Sequence, residues 1–311
     1  MSKKTAYLLG ILLTIILGTI LYYFLCCSIC CGKENCKNKT VETKQVDAPK
    51  IKDATRNAFA ITDADGNFSI KQNDNFNFKT SNFSILNPVA DQVEKGVLEL
   101  KEYLLSNPLK TVDVVGFYKS DEKNNSAYPN LGLARANEVK NYLVLHGVPS
   151  KQIDTRGKLN DAINPDVNNT LFGPVAFGML TIDASDTSSI DALKTACDAI
   201  RANPLVLHFQ TGQASINLTP SQRQKIADIS HCVDKLGVKI QVVGHTDNTG
   251  NADKNIILGK QRADFAKDYL IKNGILEANI EALSKGQAIP IADNATQAGR
   301  AENRRTEITI N

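Results

Sequence analysis

Two charged residues open the chemistry of this chain. Asp247 and Arg262 stand fifteen positions apart in the stretch VVGHTDNTGNADKNIILGKQRA, residues 242–263. A carboxylate and a guanidinium held side by side can clamp a zwitterion, a ligand with an ammonium and a carboxylate on one carbon. Arginine suits the task because its planar fork meets a carboxylate through two parallel hydrogen bonds, and charge-assisted bonds of this kind contribute roughly 1.5–3 kcal/mol each. The same spacing serves equally well for a plain ion pair within the chain. His245 and Asp247 form an H-x-D pair, but no third ligand stands near them and the chain has 4 histidines, so no metal is expected. No nucleophile sits with a base and an orienting group; no catalytic residue is assigned and no cofactor is expected.

The other reactive side chains are cysteines. Of the 7 in the chain, Cys26, Cys27, Cys30, Cys31 and Cys36 crowd into CCSICCGKENC. Metal binding, acylation beside a membrane and disulfides between chains are the sharp readings. C-x2-C spacing without a partner pair is thin support for zinc, so a membrane-edge segment without a defined site is preferred, with interchain disulfides second. Cys197 and Cys232 either pair, if the protein is exported, or are two separate buried thiols.

The elements that must position Asp247 and Arg262 are a strand, KIQVV, ending at Gly244, a crossing loop HTDNTGNADKN, and a helix that carries Arg262 in its early turns. Amides near Asn255, at that helix's N-terminus, would add attraction for an anion. The arrangement occurs earlier as well. RANEVKNYLVLHGV (135–148) and RADFAKDYLIKNGI (262–275) share six identities at a constant offset, and Val139/Ala266, Tyr142/Tyr269 and Leu143/Leu270 give each an apolar helical face. Gly147 or Gly274 supplies the stop. Each copy has a strand before this helix (TVDVVG or KIQVVG), a helical stretch before that (DQVEKGVLELKEYLLS or QRQKIADISHCVDKLG), and a closing strand (VAFGMLTID or RTEITIN). Helices alternating with strands imply helices layered on a mixed sheet.

Upstream, Ala6 to Leu25 is an uncharged run preceded by Lys3 and Lys4, about the length that spans a bilayer's hydrocarbon core as a helix. Tyr22, Tyr23 and Phe24 would sit at its interface. No small-residue cleavage site follows, and Tyr23-Phe24-Leu25 before Cys26 lacks the small residue of a lipoprotein signal, so an uncleaved anchor is expected. Residues 33–56 are polar and read as a linker. AFAITDADGNFSIK reads as a hairpin about Asp65-Gly66-Asn67; its D-x-D-G resembles the start of a calcium loop, but the later ligands are missing. Net charge is +3 with no basic patch, which excludes nucleic acid as an expected partner.

The stretch VVGHTDNTGNADKNIILGKQRADFAKDYLIKNGI, followed by SKGQAIPIADNATQAGRAENRRTEI, closely resembles the OmpA-like C-terminal domain, a peptidoglycan-binding module. The resemblance covers about residues 203–311 and meets the family's G-H-T-D, Leu-x-x-x-Arg-Ala, Pro-Ile-A-x-N-x-T and G-R-A-x-N-R-R pattern almost throughout. It implies that Asp247 and Arg262 bind the zwitterionic end of diaminopimelate in the cell-wall peptide without cleaving it, with Thr249, Asn255, Asn303 and Arg304 lining the same pocket. Three positions depart from the pattern: Gly259 for a usual Ser, Ser284 for a usual Gly, and Thr306 for an apolar residue. In the earlier copy Phe117, Tyr118 and Lys119 stand for His245, Thr246 and Asp247, Arg135 stands for Arg262, and Phe172, Val175 and Ala176 fall roughly where Arg300, Asn303 and Arg304 do. Lys119 would repel an ammonium, so that copy is expected to lack the site.

The resulting expectation is an α+β protein: a tandem pair of OmpA-like βαβαβ(β) domains with helices packed on a mixed sheet, preceded by one transmembrane helix. The expected boundaries are an anchor over 1–32, a linker over 33–56, a degenerate domain over 57–185 and a peptidoglycan-binding domain over 186–311. The expected protein is not an enzyme; it is a single-pass cell-envelope protein with periplasmic domains that links membrane to peptidoglycan, alone, as a homodimer or with envelope-complex partners. The alternative is a component of a stator- or secretion-type complex. The uncharged span lacks the carboxylate a proton-driven stator needs.

Overall fold

A computed structural model of the protein describes residues 13–21, 53–183, 185, 187–208 and 216–311. It comprises two compact units, Met1–Ile51 and Lys52–Asn311. In the first unit, residues 13–21 form a helix, α1. Among the described residues no helix is long and apolar enough to cross a membrane. The rest of the expected span, the five clustered cysteines and nearly all of the expected linker lie outside the described residues.

The second unit begins with the expected hairpin. β1 (Phe59–Thr62) and β2 (Ser69–Gln72) pair antiparallel, and the turn between them needs Gly66 at φ 73°, a left-handed conformation that glycine adopts without steric cost. Its acids are already neutralised: the Lys110 ammonium lies 2.8 Å from Asp63 and 2.6 Å from Asp65, filling from within the chain the place a cation would take. The short strands β3 (Phe78–Lys79) and β6 (Thr170–Leu171) pair with each other.

The remaining elements form two sheets of like order. In the first half α2 (Asp91–Ser106), β4 (Lys110–Tyr118), α3 (Leu131–Leu145), β5 (Ile153–Leu159) and β7 (Val175–Thr181) follow in turn. β4 is central, parallel to β5 and antiparallel to β7, and β1 lies along β7. After α4 (Ser188–Ala202), the second half runs β8 (Leu205–His208), α5 (Pro220–Leu236), β9 (Ile240–His245), α6 (Ala252–Lys272), β10 (Ile280–Gly286), α7 (Gln297–Asn303) and β11 (Arg305–Ile310). Its strand order is β10-β9-β11-β8, with β9 parallel to β10 and β11 antiparallel to its neighbours. Parallel neighbours require a crossover, and α3 and α6 supply one each.

Local sequence explains the boundaries. Thr219 and Gln222 make a reciprocal capping box at the start of α5, Pro220 takes the first turn, and Gly237 at φ 69° ends the helix. Asn251 accepts from the Lys254 N–H, so α6 starts ten residues before Arg262. The arginine is therefore mid-helix, not in the early turns expected from the loop-rich sequence. Apolar faces of α2 and α3 (Val93, Val97, Leu100, Val139, Leu143) close on β4 with Phe59, Phe76 and Phe78. Ile226, Ile229, Ala263, Ala266 and Leu270 close on Ile240, Val242 and Ile308 in the second half. Cys197 of α4 and Cys232 of α5 are joined in a disulfide, which decides between the two expectations for those cysteines in favour of pairing. The halves dock through polar contacts: Lys140–Asp234 at 2.5 Å, Lys235–Asp154 at 2.8 Å, and the Ala127 N–H donating to Asn273 at 2.7 Å.

Candidate functional site

The site is positioned by a crossing of two glycines. Helix α6 lies so close over β9 that a Cβ on Gly244 would sit 1.8 Å from the Gly259 carbonyl oxygen. Three residues on from Gly259, and so on much the same helix face, Arg262 reaches the end of the strand and donates from Nη1 to the His245 carbonyl at 3.0 Å. The chain then leaves the sheet. Asp247 turns on itself by accepting the Thr249 N–H at 3.0 Å, an Asx-type turn that fixes the carboxylate's direction.

The ion pair that forms directly is Asp247 with Arg304, at 2.8 Å; Arg262 lies near enough for its charge to act on both. Burial pushes the Asp247 carboxyl up, but hydrogen bonds from Arg304 and Thr249 outweigh it and hold the group below the ordinary carboxylate range. Burial, and then the charge of Arg304, lower the Arg262 guanidinium from its usual value, and Asp247 offsets part of this. Asp247 is thus a carboxylate at neutral pH. Its own N–H has no acceptor among the described residues, and the Nε and Nη2 donors of Arg262 have none either. One negative group and an open N–H lie in the loop that leads into the 21-residue helix α6, and the open donors of Arg262 come from the middle of that helix.

The other expected residues divide into those facing this space and those framing it. Asn255 donates from Nδ2 to Thr249 O at 3.1 Å and Gln287 Oε1 at 2.6 Å, tying the turn to the end of β10. Thr249 contributes its backbone to that frame. Asn303 is 0% exposed; its Oδ1 accepts from the Ile291 and Ala292 N–H groups, and its Nδ2 donates to Ala292 O and Asn294 Oδ1. Every hydrogen-bonding position of that amide is used, so Asn303 shapes the 291–294 loop. Asn294 was not singled out from sequence, yet its Oδ1 also accepts the Asn248 N–H at 3.3 Å and joins that loop to the Asp247 turn. It is the Asn of the Pro-Ile-A-x-N-x-T stretch, the signal that could have found it. His245 is 2% exposed, and both ring nitrogens lack a hydrogen-bond partner among the described residues. No three His, Cys, Asp or Glu side chains there come together as metal ligands.

In the first half the same crossing recurs, Gly116 over Gly132, and Arg135 Nη1 donates to Phe117 O at 2.8 Å. The strand registers correct the three expected correspondences near the last strand. Val175 pairs with Gly116 as Thr306 pairs with Gly244, so Gly173, rather than Ala176, answers to Arg304. The approximate placement along the chain missed this because the halves connect their last two strands by segments of different length. Lys119 pairs at 3.2 Å with the exposed Asp121.

The chain resembles known proteins over these same segments. It is 36% identical over 123 residues to the peptidoglycan-binding protein ArfA of Mycobacterium tuberculosis, covering 38% of this chain and 36% of that protein. It is also 36% identical over 94 residues to the outer-membrane lipoprotein YfiB of Pseudomonas aeruginosa, covering 30% of this chain and 56% of the relative. The chain therefore spans little more than a third to about half the length of these relatives. Among solved structures, the peptidoglycan-associated lipoprotein from Burkholderia pseudomallei aligns at 26% identity and a TM-score of 0.29, covering 35% of this chain and 92% of that one. The OmpA family model matches residues 77–170 and again 208–304, together more than half of the sequence, and the chain belongs to the OmpA family.

Proposed function

We propose that the second half binds peptidoglycan without cleaving it, taking the zwitterionic end of a diaminopimelate-type stem peptide between Asp247 and Arg262. The observation that carries this reading is the Asp247 turn: an ionised carboxylate beside donors that have no acceptor among the described residues. The ligand's ammonium would meet Asp247, and its carboxylate would meet Arg262 and the open Asp247 N–H. Arg304 and Thr249 flank the same space, while Asn255 and Asn303 keep its walls in place. Peptidoglycan binding is what the name of the ArfA relative states for that protein.

The wider reading places residues 57–185 and 186–311 as two copies of one domain, the first without the zwitterion site, on a chain anchored in the envelope through its N-terminal segment with both copies in the periplasm. The like strand order of the two sheets supports the first part. The Cys197–Cys232 disulfide supports an oxidising compartment. The test is co-sedimentation with purified sacculi. Asp247→Asn and Arg262→Ala should each weaken retention about 10- to 100-fold, the equivalent of one charge-assisted interaction. If both variants sediment like the wild type, the clamp is wrong.

A further inference from the structure

Arg135 and Glu122 form a pair in the first half that nothing above uses. Both side chains are 0% exposed. All five guanidinium donors are engaged: Nε with Asn82 O, Nη1 with Phe117 O and Glu122 Oε2 at 3.0 Å, Nη2 with Glu122 Oε1 at 2.5 Å and Lys79 O at 3.4 Å. The carboxylate is equally complete, since Oε1 also accepts the Ser81 N–H and Oε2 the Lys119 N–H, each at 2.8 Å. Ser81 holds a left-handed φ of 57°, uncommon for a residue other than glycine, while presenting that N–H.

The shared bond from arginine Nη1 to the strand-end carbonyl aligns Phe117 with His245 and therefore Lys119 with Asp247. Two of the donors that Glu122 satisfies in the first half, Arg135 Nη2 and the N–H of residue 119, correspond to donors left open in the second. Glu122 comes from the loop that leaves β4, so the carboxylate is supplied by the chain itself.

We propose that Arg135 is a carboxylate-binding site of the same build as the one at Arg262, occupied in cis by Glu122, and that removing the Glu122 carboxylate opens it to a small monocarboxylate. The Arg135 site then offers no vacancy to an outside ligand, and of the two arginine sites the one at Arg262 is open. This holds whether or not the second half binds peptidoglycan. Glu122→Ala deletes an acetate-sized fragment, and Glu122→Gly a propionate-sized one, which sets the probes.

The experiment compares thermal unfolding in sodium acetate and in sodium chloride at equal ionic strength, in an Arg262→Ala background so that the second half cannot contribute. Acetate should raise the midpoint of the Glu122→Ala protein saturably, as a ligand of the folded state does, leave the Glu122 parent unchanged, and lose its effect when Arg135→Met is added. Propionate should act likewise on Glu122→Gly, and benzoate, too large for the gap, on neither. If Glu122→Ala is recovered unfolded, acetate and not chloride should restore the folded form. An acetate effect equal in parent and variant, one that survives Arg135→Met, or no effect and no restoration would each overturn the proposal.

Discussion

At the scale of single residues, His245 is the sharpest conflict in the second half. It stands next to a site built from charges, yet burial, and then the charge of Arg305, push its imidazole below the ordinary value near 6.5. Glu307, 3.8 Å away, opposes this only in part. A group whose folded-state pKa is depressed stabilises the protein above the unfolded value and loses that stabilisation as pH falls from there toward the folded one. Stability should therefore decline below about pH 6.5, with a slope of up to about 1.4 kcal/mol per pH unit for each proton taken up. His231, also lowered chiefly by burial, adds a second proton of the same sign. His245→Phe, which installs the residue that stands at this place in the first half, should remove one of the two. Denaturant unfolding of both proteins between pH 7 and 5 checks this, and equal slopes would refute it. Asp247 and Glu122, both held below the carboxylate range despite burial, lose their contribution only at more acidic pH.

At the scale of elements, two of the three departures from the family pattern, Gly259 and Ser284, turn out to be linked. A Cβ on Gly259 would lie 2.3 Å from Ser284 Oγ, so the side chain absent from α6 makes room for the one present on β10, whose hydroxyl accepts the Gly286 N–H at 3.1 Å. Gly259→Ser alone should cost about 1–3 kcal/mol through overpacking, and Ser284→Gly in the same protein should recover the part due to Ser284 Oγ while leaving the part due to the Gly244 carbonyl oxygen, 2.9 Å from the added Cβ. A double-mutant cycle measures the coupling; additive losses would mean that the residues do not trade places. These contacts also show what was legible in the sequence. Strands, helices and their order could be read because apolar period and capping residues are local: β4, α2, β9 and β11 lie where VDVV, the DQVEKGV face, QVV and TEITI put them. The Asp247–Arg304 pair, the Asn294 bridge and the Glu122 plug join residues from separate loops, and no period in the chain encodes them. Arg262 could be singled out by its resemblance to a known pattern, but not its bond to the strand end, which depends on how closely two glycines let helix and strand approach.

At the scale of the whole molecule, the two larger sheets of the Lys52–Asn311 unit are joined by a polar seam, and α4 is stapled to α5 across a sequence separation of 35. Closing a loop of that length removes roughly 3–4 kcal/mol of chain entropy from the unfolded state. Cys197→Ser with Cys232→Ser should lower the unfolding midpoint accordingly in non-reducing buffer and abolish its sensitivity to dithiothreitol. A midpoint unmoved by both substitution and reductant would remove the staple from the account of stability. With α4 unpinned, Leu193, Ile200 and their neighbours lose a fixed place on the second core.

The seam has a mechanical consequence. The N-terminal segment enters this unit at residue 52, and the Asp247 turn lies beyond the last residue of β9. A pull between those points runs in series through the first sheet, the connection leading into α4, and the second sheet. Lys140–Asp234, Lys235–Asp154 and Asn273–Ala127 bridge the halves beside that covalent path. They share the load until they shear, and the weakest link in the series sets the force the chain can bear.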